Sequence, residues 1–287
     1  NLHCTYCYAA GGDYGVPMKT MDEATAKRAI DFLIRESGSS RKVSVVLFGG
    51  EPLLNWPLIK TIVEYGEEQA GRAGKEIEYS LTTNGTLLNA ARINFLAEHK
   101  VGITVSMDGP EEVHDEWRPF KNGAGSYHLV RRNVEKLIAR HKTRPVATRV
   151  TLTKDFPSIK ETMTHLLDEL GFHEVGFAPV STTDEDILMG NPELFRLLDE
   201  FAECAEEFVQ AARRNEYLGF SNLINILVEL HVGVNKGYGC GAGLGFLAVS
   251  PSGDLFLCHR FNEDEQYKLG DIYTGINRSF QQELLNS

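Results

Sequence analysis

Short apolar runs alternate with longer amphipathic ones over roughly the first 180 positions. The first run, Val43-Ser44-Val45-Val46-Leu47-Phe48, is rich in β-branched residues and stops at Gly49-Gly50. Residues 77–83 close at Asn84-Gly85, and residues 101–107 close at Asp108-Gly109-Pro110. Residues 146–152 and 174–180 complete the set. Mostly apolar runs of this length, bounded by turn residues, predict strands of a parallel sheet buried on both faces. Helical patterns fill the gaps. Thr20-Met21-Asp22-Glu23 reads as a capping box with Thr20 as the cap, and Ile30, Leu33 and Ile34 follow at helical spacing. Residues 56–68, 89–99, 127–138 and 159–170 repeat the theme. Strand–helix alternation of this kind implies right-handed crossovers and a parallel sheet or barrel.

The rhythm breaks after Val180. Residues 181–186 are polar, and two helical patterns follow at 192–212 and 223–230. A glycine-rich stretch at 237–245 then leads into residues 246–249, a Pro251-Ser252-Gly253-Asp254 turn, and residues 255–258, which together predict a β-hairpin. The expected division is an α/β domain at 1–184, a helical bridge at 185–236 and a small β extension beginning at 237–287.

Composition narrows the picture. The 287 residues carry a formal charge of −11, with 42% apolar and 24% charged side chains. That size suits one large α/β domain with an annex. The acidic balance argues against nucleic acid as a partner. No apolar run approaches the roughly 20 residues that span a bilayer, and no signal peptide is visible, so the expectation is a cytoplasmic protein.

Two of the five cysteines stand as Cys4-Thr5-Tyr6-Cys7. On its own this spacing fits a redox dithiol, half a zinc site or two idle thiols. The remaining cysteines, Cys204, Cys240 and Cys258, are scattered and supply no second close pair. Other candidates stand where chemistry collects in parallel α/β barrels, at the C-terminal ends of strands. They are Gly49-Gly50-Glu51-Pro52, Asn84, Ser106 with Asp108, and Arg149. An Arg inside an apolar strand needs a partner, either a structural carboxylate or a ligand.

Taken together, the cysteine pair and the Gly49–Pro52 turn resemble the radical SAM family. Cys4, Tyr6 and Cys7 match the latter part of its CxxxCxxC signature, with Asn1-Leu2-His3 as the spacer. The resemblance implies a partial (β/α)6 TIM-like barrel whose first strand and first cluster cysteine lie outside this sequence. It implies a 4Fe–4S cluster held by Cys4 and Cys7, with S-adenosylmethionine on its open iron. Gly49, Gly50, Glu51 and Pro52 would then receive the methionine ammonium group, Ser106 and Asp108 the ribose hydroxyls, and Arg149 the methionine carboxylate. Tyr6 and Asn84 would lie against the cofactor.

Cys240, Gly253 and Cys258 resemble the opening of the SPASM or twitch extension, which holds auxiliary iron–sulfur clusters in enzymes that modify ribosomally made peptides. His259 stands where sulfatase maturases carry an Asp, and is either a general base or a surface histidine. The resemblance favours a maturase that forms thioether cross-links in a peptide, with flavodoxin or ferredoxin as electron donor. A formylglycine-forming sulfatase maturase, a non-catalytic peptide-binding relative and a non-radical barrel enzyme are the alternatives. With one thiolate lacking, this stretch alone is expected to be inactive.

Overall fold

The computed structural model describes residues 1–233 and 240–286. The boundary placed at 236/237 and residues 237–239 of the glycine-rich stretch lie outside the described residues. The chain divides into two compact units, one of residues 1–8 with 82–235 and the other of residues 9–81 with 236–287.

Five parallel strands follow chain order: β1 (Lys42–Leu47), β2 (Glu76–Thr83), β3 (Gly102–Ser106), β4 (Val146–Leu152) and β5 (Glu174–Pro179). Strand order without reversal is the topology of a singly wound α/β barrel, not of a doubly wound sheet. All five match the runs read from the sequence. Their burial departs from it. Along β4, Val146, Thr148, Val150 and Leu152 are buried while Arg149 between them is exposed, and β1 and β3 alternate likewise. One face of β1, β3 and β4 packs while the other stays accessible, so for these strands the expectation of burial on both faces is corrected, whereas β5 is buried on both faces over Val175–Phe177.

In the unit holding β1, helix α1 (Glu23–Glu36) packs on α2 (Trp56–Arg72). The cap of α1 is Asp22, not Thr20. Asp22 has extended backbone, and its carboxylate accepts from Thr25 N–H at 2.7 Å. The same unit contains the anticipated hairpin, β6 (Ala248–Val249) and β7 (Asp254–Phe256), continued by two unanticipated strands, Lys268–Asp271 and Gly275–Ile276, and by a helix, Arg278–Asn286. Phe32 of α1 joins Leu255, Leu269 and Ile272 in one buried cluster, so the C-terminal segment shares its core with the first helix.

The other unit sets α3 (Ala90–Glu98), α4 (Glu111–Trp117), α5 (Tyr127–Arg140) and α6 (Ile159–Met163) around β3–β5. The short α4 was absent from the sequence reading, because it offers less than three turns of periodicity. The helix expected at 159–170 is α6 followed by a π-turn at Thr164–Glu169. Two further helices, α7 (Asn191–Arg213) and α8 (Ser221–Val232), follow β5. Cys204 is buried on α7, as its apolar neighbours predicted, and burial pushes its thiol up to about 11. Among the described residues no helix is long and apolar enough to cross a membrane.

Candidate functional site

The cysteine segment has no regular structure of its own and is fastened residue by residue to its unit. The Asn1 side chain donates to Thr86 Oγ1 at 2.7 Å and accepts from Asn84 Nδ2 at 2.9 Å. Leu2 forms a bridge to Phe120, His3 N–H reaches the Pro119 carbonyl at 2.8 Å, and Thr5 N–H reaches the Trp117 carbonyl at 3.1 Å. A tight turn, Cys7 N–H to the Cys4 carbonyl at 3.1 Å, then puts both cysteines on one loop. Both thiols are free and partly buried.

Tyr6, between them, reaches inward. Its hydroxyl donates to Asp108 Oδ2 at 2.5 Å. Arg118 Nε donates to the same oxygen at 2.8 Å, its Nη2 donates to Oδ1 at 3.2 Å, and Thr151 N–H donates to Oδ1 at 2.9 Å. Four donors fill the four acceptor sites of a carboxylate that is 1% exposed. All four acceptor sites of Asp108 are thereby taken by the protein's own donors. Burial drives the Tyr6 hydroxyl well above its ordinary value, and the Asp108 carboxylate pushes the same way. Burial also raises the Cys4 thiol, against the opposing pull of the Arg118 cation beside it.

Ser106 and Arg149 are register partners on the accessible faces of β3 and β4. Arg149 extends over Gly176 of β5, where a Cβ would come within 2.8 Å of its Nη1. The sequence reading missed Gly176, which clears the path of this side chain. Asn84 builds the turn after β2, accepting from Thr86 N–H and Oγ1. From α5, the buried Asn133 holds the same turn through the Gly85 and Thr86 carbonyls. Cys4, Tyr6, Cys7, Asn84, Ser106, Asp108 and Arg149 thus belong to one unit.

In the other unit, Gly49 and Gly50 follow β1. Gly12 lies against Gly50 so closely that a Cβ on Gly12 would be 2.5 Å from the Gly50 Cα. Glu51 is buried, and its Oε1 accepts from Leu53 N–H at 3.0 Å, capping the 3₁₀ turn Pro52–Asn55. Phe48, directly after β1, meets His259 at a 45° tilt with ring centroids 4.4 Å apart, and Phe246 meets the same imidazole edge-on at 6.0 Å. His259 is half-buried, not a surface histidine, and burial, helped by the Arg260 charge, holds it below its usual pKa. Cys258 is buried and its sulfur accepts from Arg260 N–H at 3.4 Å, whereas Cys240 is exposed.

Among the described residues, no group of three or more His, Cys, Asp or Glu side chains is arranged to hold a metal ion. The Cys4–Cys7 turn fits two corners of an iron–sulfur cluster, and the Arg118 cation beside Cys4 offsets part of the cost of burying its thiolate. Trp117 and Arg118 carry no chemical signal that the sequence alone would single out. In the structure they support the cysteine loop.

Known proteins bear on this arrangement. The chain resembles the serine-type anaerobic sulfatase-maturating enzyme of Klebsiella aerogenes at 31% identity over 138 residues, 48% of this chain and 34% of that protein. It is 29% identical to the AdoMet-dependent heme synthase of Methanosarcina barkeri over 276 residues, 90% of this chain and 73% of that one. The chain therefore spans about a third of the length of the sulfatase-maturating relative. Its fold matches that of native anSMEcpe with bound AdoMet at a TM-score of 0.82 and 20% identity, across 98% of this chain and 77% of the other. Residues 1–166, more than half of the 287, match the family profile described as the Radical SAM superfamily. The cysteine turn and the glycine turn lie within that stretch, and the chain belongs to the Radical SAM superfamily.

Proposed function

We propose that the protein modifies a ribosomally made peptide or small protein, joining a Cys sulfur to a carbon of another residue through a thioether bond. A radical SAM enzyme works with a 4Fe–4S cluster and S-adenosylmethionine, and Cys4 and Cys7 are the ligands this chain offers. When bound, the cluster supplies the electron that cleaves the sulfonium C–S bond. The chain's own residues bind and orient. Arg149 faces the methionine carboxylate with a planar, permanently charged fork. Ser106, its register partner, is the hydroxyl available for the ribose. Glu51 and the carbonyls of Gly49–Pro52 take the ammonium group, and Tyr6 and Asn84 shape the loop and turn around the cofactor.

The observation that carries the peptide reading is His259, in ring contact with both Phe48 and Phe246 directly after Cys258. In this reading a ring nitrogen of His259 accepts the thiol proton of a bound cysteine. Cys240 and Cys258 belong to an auxiliary iron–sulfur site in this reading, and residues 237–287 open a SPASM-type extension after a barrel (1–184) and a bridge (185–236). Flavodoxin or ferredoxin donates electrons in the cytoplasm.

The test is anaerobic reconstitution of the full-length protein, with all three cluster cysteines, with iron and sulfide, followed by reduction with S-adenosylmethionine and short cysteine-containing peptides. Formation of 5′-deoxyadenosine together with a peptide lighter by two hydrogens, resistant to thiol alkylation and to fragmentation within the linked segment, supports the proposal. An aldehyde that reacts with hydrazide identifies formylglycine formation instead. A second reading, heme synthesis, follows from the likeness to the heme synthase along 90% of the chain. Nucleoside formed with a tetrapyrrole and never with peptides would establish it.

A further inference from the structure

The Tyr6–Asp108–Arg118 network is more than a core ion pair. Arg118 and Asp108 are 7% and 1% exposed, and burying two such charges costs several kcal/mol of hydration unless every hydrogen bond is made. All four acceptor sites of Asp108 are used. The donors come from three places far apart in sequence: the cysteine loop (Tyr6), the residue after α4 (Arg118) and the backbone of β4 (Thr151). The guanidinium carbon also lies 5.3 Å from the Tyr6 ring centroid, within cation–π range. Around this core, the carbonyls of Trp117 and Pro119 take the loop's own N–H groups. His3 and Thr5 are exposed, so on the cysteine side of the buried Leu2 it is the Tyr6 side chain that reaches into the core. An irregular loop of this length is otherwise free, and each residue fixed costs about 1–2 kcal/mol of backbone entropy.

We propose that Tyr6, Asp108 and Arg118 are positioning residues that hold the Cys4–Cys7 turn in its ligand-ready conformation before any metal arrives. The identity of the two cysteines as cluster ligands rests on the reading above. The preorganisation itself is a property of the metal-free chain. Tyr6→Phe is the sharpest probe, because it removes only the hydroxyl that joins the loop to the ion pair. Arg118→Lys keeps the charge and loses the two-pronged geometry.

The experiment measures alkylation rates of individual cysteines in the metal-free chain under native conditions by mass spectrometry, beside thermal melts and iron uptake on reconstitution. In Tyr6→Phe, Cys4 and Cys7 should react about tenfold faster, the factor expected for one lost charge-assisted hydrogen bond. Cys204, buried on α7, should keep its rate as an internal control. Iron retained per chain should fall, and Arg118→Lys should be intermediate. Unchanged Cys4 and Cys7 rates in Tyr6→Phe, with a normal melt, would overturn the proposal. So would equal acceleration of Cys204, which would indicate general loosening. A full-length wild-type protein that takes up no iron would refute the cluster reading, and the thiol rates would still decide the preorganisation.

Discussion

His114 makes the fold pH-sensitive in a way that can be worked out in advance. Its side chain is fully buried, on α4. Nε2 lies 3.0 Å from Ser126 Oγ, and that hydroxyl spends its own proton on the Arg118 carbonyl at 2.7 Å. Nε2 must therefore carry the hydrogen, which leaves Nδ1 as a buried acceptor without a partner. Burial, reinforced by the Arg118 cation and opposed by Asp108 and Asp115, lowers the pKa from 6.5 to about 4. The folded state resists a proton that the unfolded chain takes readily, so stability is complete above the unfolded pKa and is lost as pH falls. From 6.5 and about 4, linkage gives a loss of about 2 kcal/mol by about pH 5 and about 3 kcal/mol by about pH 4. The assay is urea unfolding of wild type and His114→Gln at matched pH values. Glutamine keeps a donor for Ser126 but does not titrate. The difference between the two proteins cancels the other titrating groups, and it should shrink by about 3 kcal/mol between pH 7.5 and about 4. A difference that stays flat over that range would refute the argument.

Substitutions at Gly12, Gly11 and Asp115 test close contacts and capping. Gly12→Ala places a Cβ 2.5 Å from the Gly50 Cα at a φ of +106°, and should cost about 2–4 kcal/mol. Gly11→Ala, at a φ of +81° with open space around it, should lose only the backbone part of that penalty, so a urea series in which both lose equally would contradict the close contact. Asp115 Oδ1 accepts from Ser126 and Tyr127 N–H, both at 2.7 Å, at the start of α5. Asp115→Ala should cost about 1–2 kcal/mol by chemical denaturation, and Asp115→Asn much less.

Much of this protein was legible in its residues because strand and helix periodicity is a local property. The five parallel strands, most of the helices and the hairpin around Gly253 follow from spacing within windows of about a dozen residues. The cysteine turn and the glycine turn were equally plain, since each is written in consecutive residues. The α1 cap was misplaced by two positions because Thr20 and Asp22 both satisfy a capping pattern, and only the backbone path selects between them. Missed altogether were residues whose meaning lies in what they avoid: Gly12 beside Gly50, and Gly176 beneath Arg149.

Asp108 shows where the local code ends. From the sequence it is a polar residue at a strand end, open to a ligand. The fold fills every acceptor site it has, one of them from a tyrosine 102 positions away. The His114–Arg118 stretch gains its meaning in the same step, as a buried histidine, a cap for α5 and the cation facing the cysteine loop. A side chain's type fixes what it can bind, and composition and periodicity carry that much. Which of its bonds are already spent depends on partners brought in by long-range packing, and in a buried carboxylate that decides between a ligand contact and a structural anchor.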